Sequence, residues 1–201
     1  MTSSTFGPTS TSTTPRSPKP DLTPRPASTL RILGLDPGST ACGWGVIERS
    51  GREWRLAGCG VLRARGASST LTSRLRRLYG GLIELLDAWR PSQAAVEDLF
   101  HSRNARSALI LGHARGVLLL ALGQRGLCPR SYPPPTVKQA VTGSGAASKE
   151  QVRRWVCRWL ATRDQRIATD ASDALAVALC HARVSRWERA TGSDGARPAS
   201  R

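Results

Sequence analysis

The chain has 201 residues, which is enough for one domain with a substantial core and two tails. Thirty Lys and Arg residues stand against fourteen Asp and Glu residues, and the net charge of +16 favours nucleic acid over a membrane surface as the partner. Five scattered cysteines without a C-x-x-C pair exclude a disulfide framework and a zinc site. Because no apolar run is expected to span a bilayer and no secretory signal is present, we predict a cytoplasmic protein without a membrane partner.

The two ends differ from the middle in composition. Residues 1–29 are rich in Ser, Thr and Pro, with Asp21 as the only acid, and predict a disordered extension. This segment is loosely similar to an organelle transit peptide, but it lacks an amphipathic period. Residues 186–201 are rich in Gly, Ala, Ser and Arg and predict a flexible tail. The folded domain is therefore predicted over 30–185.

The first predicted strand leads directly into an acid. Residues 32–35 are typical of a short buried strand that ends at Asp36, and the Pro37-Gly38 turn leads to a second strand over 43–47. A carboxylate at the end of a buried strand is costly unless a cation meets it, so Asp36 is a candidate cation ligand. On this stretch alone, a simple cap of the turn is an equal alternative.

The next segments predict a meander and a helix. Residues 54–62 alternate as a third strand, and the short connections predict antiparallel pairing of the first three strands. Leucines at helical spacing over 71–89 predict a helix, which Pro91 ends.

The fourth predicted strand, over 94–98, carries a second acid, Glu97, at its end. This strand is reached through a helix, so we expect it to pair in parallel with the first strand. Asp36 and Glu97 would then lie at equivalent strand ends. Open α/β sheets bind ligands beyond the carboxyl ends of their parallel strands, so both acids are expected to point into one crevice.

Helices dominate the second half of the chain. In order, we predict a helix over 103–124, a strand over 128–132, a helix over 137–141 capped by Thr136, a helix to Leu160 that begins with a Ser148–Gln151 capping box, and a last helix capped by Thr169 that ends near Val184.

The last helix begins with two acids on one face. Asp170 and Asp173 are three residues apart, and the helix dipole alone would favour either of them there. The remainder of the helix is nearly all apolar, so we expect the helix to be buried and its acids with it. If these two acids meet Asp36 and Glu97, the resulting carboxylate cluster requires cations.

A cluster of four carboxylates without Cys or His suits Mg²⁺ or Mn²⁺. Two such ions per active site, roughly 4 Å apart, clamp the attacking water and the leaving oxygen of a phosphodiester. Together with the positive charge of the chain, this chemistry predicts a metal-dependent nuclease.

Five segments, in order, resemble the RuvC family of Holliday-junction resolvases: ILGLDPGS, VEDLF, YPPPTVKQAVTG, ASKEQV and DASDALAVA. The resemblance covers about residues 31 to 184. It implies an α/β protein with a ribonuclease-H-like fold, in which helices flank both faces of a mixed five-stranded sheet. It also implies a homodimer that makes paired, symmetric nicks in four-way junction DNA, leaves 5′-phosphate ends, and works with the RuvA–RuvB branch-migration complex.

The resemblance also assigns roles by position. It implies that the catalytic and metal-binding residues are the four acids Asp36, Glu97, Asp170 and Asp173. It places Lys138 and Lys149 near the DNA phosphates, Phe100 near bases at the crossover, and Arg103 at a position where a Lys is common.

Two positions are open to more than one interpretation. His181 could be a general base or a group that positions water, or it could be a core histidine with satisfied hydrogen bonds. Asp98 adds an acid beside Glu97, but as the next residue on a strand it is expected to face the other way.

Other functions also fit parts of the sequence. A ribonuclease-H-like nuclease could act on RNA, and a junction-binding module could lack catalysis, although all four acids are present. The DPGST segment also resembles the first phosphate loop of actin-fold ATP-dependent phosphotransferases. Those proteins need a second similar domain, for which this chain is too short.

Overall fold

A computed structural model describes residues 29–38, 40–64, 70–98, 104–162 and 167–191. The strands are β1 (Arg31–Pro37), β2 (Ala41–Ser50), β3 (Glu53–Arg63), β4 (Gln93–Glu97) and β5 (Arg130–Tyr132). The helices are α1 (Leu71–Trp89), α2 (Ala105–Gln124), α3 (Pro134–Thr142), α4 (Lys149–Trp159) and α5 (Thr169–Thr191).

The five strands form one mixed sheet in the order β3-β2-β1-β4-β5. Strands β1, β2 and β3 pair antiparallel, as the short connections between them predict. Strand β4 pairs in parallel with β1 and with β5, because a helix separates each of these pairs along the chain. The predicted mixed sheet and its parallel β1–β4 pair are therefore confirmed.

Successive side chains of β1 enter two different cores, one on each face of the sheet. Leu33 and Leu35 pack with the apolar sides of α1 and α2, whereas Ile32 packs with α3, α4 and α5. Helix α5 lies directly against β1, β2 and β4. The expected arrangement, with helices on both faces, is present.

Several predicted ends were wrong. Strand β1 does not end at Asp36 but continues through Pro37, with Asp36 paired to Gly43. Thr136 does not cap α3, because that helix begins two residues earlier at Pro134, where the missing N–H and fixed φ of proline suit a first turn. The predicted Ser148–Gln151 capping box of α4 is confirmed.

The last helix differs from its prediction at both ends. Thr169 is its first residue rather than its cap, since the Ser172 N–H already donates to the Ala168 carbonyl. The helix then continues to Thr191, past its predicted end near Val184, so the first residues of the predicted tail are helical. Residues 1–28 and 192–201 lie outside the described part of the chain.

Helix α2 corrects the expectation that no apolar run is long enough for a membrane. Among the described residues it is the one helix whose length and composition would allow it to cross a bilayer. Core helices can have the same composition, and α2 buries Leu118 and Leu122 against α1 and the sheet. Its outer face still exposes Leu109 and Leu120, by 62% and 57%.

Candidate active site

The parallel β1–β4 pair brings two acids to one edge of the sheet. Leu35 is the register partner of Val96, so the next residues along the two strands, Asp36 and Glu97, lie side by side just beyond the last β1–β4 pair. Their carboxyl groups share a hydrogen bond. Such a bond requires a proton on one of the two groups, and the raised pKa values of both acids favour that protonation.

Glycines in β1 and β2 bring the other two acids to the same place. A Cβ atom on Gly43 would collide with the Asp170 carbonyl, and one on Gly34 would collide with the Ala174 carbonyl. Helix α5 therefore rests on bare strand backbone at these positions. Since Gly43 pairs with Asp36, the first turn of α5 is placed beside the Asp36–Glu97 pair.

Gly43→Ala is therefore expected to destabilise the protein by about 2 to 4 kcal/mol, because the added methyl group collides with the backbone of α5. Urea unfolding followed by circular dichroism measures the change. The matched control is Gly80→Ala in α1, where a new Cβ meets no atom within 4 Å and is expected to stabilise by about 0.5 kcal/mol. If the urea midpoint of Gly43→Ala equals that of the wild type, then α5 does not pack directly on the backbone at Gly43.

The Asp36–Glu97 pair has too little positive charge nearby to keep the pKa values of both acids at their ordinary level. Burial raises the pKa of Glu97 to about 8, and the nearby Asp36 and Asp173 carboxylates contribute to the rise. Burial also raises the pKa of Asp36, with further contributions from Asp173 and Asp170. Asp36 therefore lies near enough to Glu97, Asp170 and Asp173 for their charges to act on it, and we call these four acids the carboxylate cluster.

One cation of the chain enters this cluster. Lys149 Nζ lies 3.2 Å from Asp173 Oδ2, and the Asp173 carboxylate raises the pKa of Lys149. The charge of Lys149 also opposes the rise in the pKa values of Asp36 and Glu97. Lys149 is the first residue of α4, so the Ser148–Gln151 capping box fixes the point from which its side chain extends.

The donor set fits a hard divalent cation by its chemistry, since it offers carboxylate oxygens and a deficit of positive charge. In the described ranges, however, no three His, Cys, Asp or Glu residues lie close enough together to hold one ion. Asp173 is paired with Lys149.

The two helical acids are less buried than predicted. Asp170 is exposed and Asp173 is half-buried, although the α5 residues that follow are almost all buried. The first turn of α5 lies at the edge of the sheet, where its outer face reaches solvent. The apolar sequence of the helix therefore gave the wrong expectation for its first turn.

Asp98 and His181 lie outside the cluster. Asp98 pairs with Arg115 of α2 at 3.3 Å, on the opposite face of the sheet from α5, as its strand position predicted. His181 is buried; its Nδ1 lies 2.9 Å from the Tyr132 hydroxyl and its Nε2 lies 3.4 Å from Ser185 Oγ. It follows Asp173 by eight residues, about 12 Å along a helix, which favours the interpretation as a core histidine.

The remaining predicted DNA-binding residues are not brought to the cluster. Lys138 is half-buried on α3, and the described residues show no contact between it and the acids. Phe100 and Arg103 lie outside the described residues. The sequence analysis did not predict that α5 packs directly on glycines of the sheet. The signal for this contact was the alternation of Gly43 and Gly45 in β2.

Comparison with known proteins shows the family to which the chain belongs. Residues 32–181 match the family described as crossover junction endodeoxyribonuclease RuvC. The chain belongs to the RuvC family. The RuvC protein of Pelotomaculum thermopropionicum is 44% identical over 160 residues, which are 80% of this chain and 97% of that relative. The RuvC protein of Chloroflexus aggregans is 45% identical over 76% of this chain and 93% of its own length.

Solved structures of the RuvC family share the fold. Thermus thermophilus RuvC in complex with a Holliday junction substrate has a TM-score of 0.74 and 33% identity, covering 79% of this chain and 96% of that one. The yeast mitochondrial Holliday junction resolvase Ydc2 has a TM-score of 0.61 at 12% identity, over 82% of this chain and 84% of that one, and supports the fold alone. The ribonuclease-H-like fold implied by the sequence resemblance is confirmed.

Proposed function

We propose that this protein is an endonuclease that resolves four-way DNA junctions by paired, symmetric nicks and leaves 5′-phosphate ends. The observation that carries the proposal is the joining of Asp36, Glu97, Asp170 and Asp173 into one carboxylate cluster on a strongly cationic chain. Membership of the RuvC family and the likeness to a RuvC protein solved with a Holliday junction support the choice of substrate.

The four acids would hold two Mg²⁺ or Mn²⁺ ions, which would supply an activated water and stabilise the leaving oxygen of the phosphodiester. Bound cations would favour the ionised carboxylates of Asp36 and Glu97 and so oppose burial, which raises the pKa of both acids. Lys149 partly neutralises Asp173 and presents an ammonium group at the edge of the cluster, where a DNA phosphate would lie. The rest of the cationic chain would hold the DNA arms through their phosphates.

A synthetic four-way junction, incubated with each divalent ion and analysed on a denaturing gel, tests the proposal. We expect symmetric nicks with Mg²⁺ or Mn²⁺ and little cutting of a linear duplex of the same sequence. Equal cutting of the linear duplex would contradict junction selectivity. A matched RNA junction tests the RNA-cutting alternative, and direct measurement of ATP binding tests the phosphotransferase alternative, neither of which the site geometry favours.

Paired nicks need two active sites, and α2 offers a surface through which two copies could associate. Leu109, Gly112, Gly116 and Leu120 fall within one helical face. Both leucines are exposed, and a Cβ on either glycine would meet no atom. An apolar face with small residues allows two helices to approach closely, so the homodimer uses this face of α2. Association with the RuvA–RuvB complex and the cytoplasmic location stay predictions from family membership and composition.

Lys149→Ala and Lys138→Ala are each expected to weaken junction cutting and to flatten the salt dependence of junction binding. Each lysine that neutralises one phosphate contributes about 0.9 to the slope of log K against log salt concentration. Fluorescence anisotropy with the labelled junction at several salt concentrations measures the slope, with exposed Arg76 of α1 changed to Ala as the control. A slope unchanged from the wild type would contradict the phosphate role of that lysine.

A further inference from the structure

A second candidate site lies further along α5, away from its first turn. An open groove of about 1200 Å³ is bounded by the start of β3, the end of α4 and the part of α5 from Leu179 to Arg186. Arg183 on its wall follows Asp173 by ten residues, which corresponds to about 15 Å along a helix. Asp36 pairs with Gly43, whereas the start of β3 pairs with the end of β2 at Ser50. The start of β3 and Asp36 therefore lie at opposite ends of the strands. The groove is therefore separate from the carboxylate cluster.

The rim of this groove is strongly positive. It carries five guanidinium groups against one carboxylate, that of Glu53; the five are Arg52, Arg55, Arg158, Arg183 and Arg186. All five arginines are exposed, so the charges are available to a ligand in solution. We call this feature the arginine groove. Its charge selects an anionic ligand.

The floor of the arginine groove is aliphatic, and its side chains are Leu56, Val141, Leu160, Leu179 and Ala182. Such a floor accepts an apolar side chain, but its aliphatic side chains cannot form hydrogen bonds with the edge of a nucleic-acid base. The Trp159 indole, 46% exposed, forms part of the wall, and its Nε1 donates to the Val141 carbonyl at 3.0 Å. The wall is thus rigid beside an apolar floor.

Two tryptophans line the arginine groove: Trp54 is half-buried against the core, and the Trp159 ring is already covered by a guanidinium. The Arg183 guanidinium lies over the Trp159 ring, 5.0 Å from its centroid, and donates to the Ala140 carbonyl at 2.7 Å. A base stacking on that face of Trp159 would have to displace this guanidinium. The geometry therefore favours a ligand that brings its own carboxylates to the rim and an apolar group to the floor, rather than a stacked nucleic-acid strand.

We propose that the arginine groove binds an acidic peptide segment of another protein, with an apolar side chain on the floor and Asp or Glu carboxylates on the rim. The terminal segments of this chain cannot be the ligand, because residues 1–28 contain one acid, Asp21, and residues 192–201 contain one, Asp194. Because the groove is separate from the carboxylate cluster, the partner holds the protein while the cluster stays open to DNA.

Fluorescence anisotropy with the labelled peptide DDELFEDD at physiological salt tests this proposal. We expect a Kd in the micromolar range for the wild type and about tenfold weaker binding for Arg55→Glu combined with Arg186→Glu. The matched control combines Arg76→Glu with Arg154→Glu, which makes the same charge change at exposed positions outside the groove and is expected to bind within about twofold of the wild type.

A second peptide tests the floor without altering the protein. DDESSEDD keeps the charges but lacks the apolar pair, and it is expected to bind about tenfold more weakly than DDELFEDD. Equal binding of the two peptides, or equal losses in the two double variants, would show attraction by net charge alone and would overturn the proposal. Loss of binding to a dT20 oligonucleotide in the groove variant, with the peptide unaffected, would overturn it in favour of a nucleic-acid groove.

Discussion

Asp36→Asn is expected to abolish junction cutting while junction binding is retained. The change removes one carboxylate from the cluster and leaves every positive side chain in place, so the loss falls on catalysis. We expect cutting to fall by at least about 10³-fold, since the proposed metal site would lose one of its ligands. The measurements are single-turnover cutting on a denaturing gel and binding of the labelled junction by anisotropy in Ca²⁺.

The control for this prediction is Asp98→Asn. Asp98 is also an acid that follows a strand at the same edge of the sheet, but it pairs with Arg115 on the other face. We expect this variant to cut within a few-fold of the wild type. Cutting by Asp36→Asn within tenfold of the wild-type rate, with either Mg²⁺ or Mn²⁺, would remove Asp36 from the active site.

Glu97→Gln is expected to stabilise the metal-free protein at pH 8. The pKa of Glu97 is raised from 4.5 to about 8 on folding, so the unfolded chain releases this proton at a lower pH than the folded chain. Stability of the metal-free wild type therefore falls as the pH rises from about 4.5 to about 8, and an amide removes this dependence. We expect a gain of about 1 to 3 kcal/mol at pH 8, or about 3 to 10 °C in Tm, and no gain near pH 4.

Thermal unfolding in EDTA across this pH range measures the effect, with the exposed Glu84→Gln as the control. Addition of Mg²⁺ is expected to raise the Tm of the wild type more than that of Glu97→Gln, because the variant has lost a carboxylate ligand. A Glu97→Gln protein that is less stable than the wild type at pH 8 would contradict a raised pKa of Glu97 beside Asp36.

The β1–β4 half of the site could be predicted from the sequence because strands are local and their connections obey simple rules. The helix between the strands required parallel pairing, and parallel pairing placed Asp36 beside Glu97. The five short motifs then supplied the family and its fold, which the structure and the comparisons confirm.

The other half depended on contacts that no local pattern encodes. The approach of Asp170 to Asp36 is set by how closely α5 can lie on Gly34 and Gly43, which is a property of packed backbone. The exposure of Asp170 was predicted wrongly for a related reason, since an apolar helix can still extend its first turn beyond the sheet. The Lys149–Asp173 pair joins the starts of two helices, and its geometry was equally hidden.

The direct contact between the α5 backbone and the glycines of the sheet limits how this enzyme could be re-engineered. A layer of side chains between helix and sheet would offer many small adjustments of spacing, but direct contact at Gly34 and Gly43 offers none. Any redesign for a larger or smaller cation would thus have to change the reach of an acid, as in Asp173→Glu. The spacing between helix and sheet is fixed, so only the lengths of the acidic side chains can be changed.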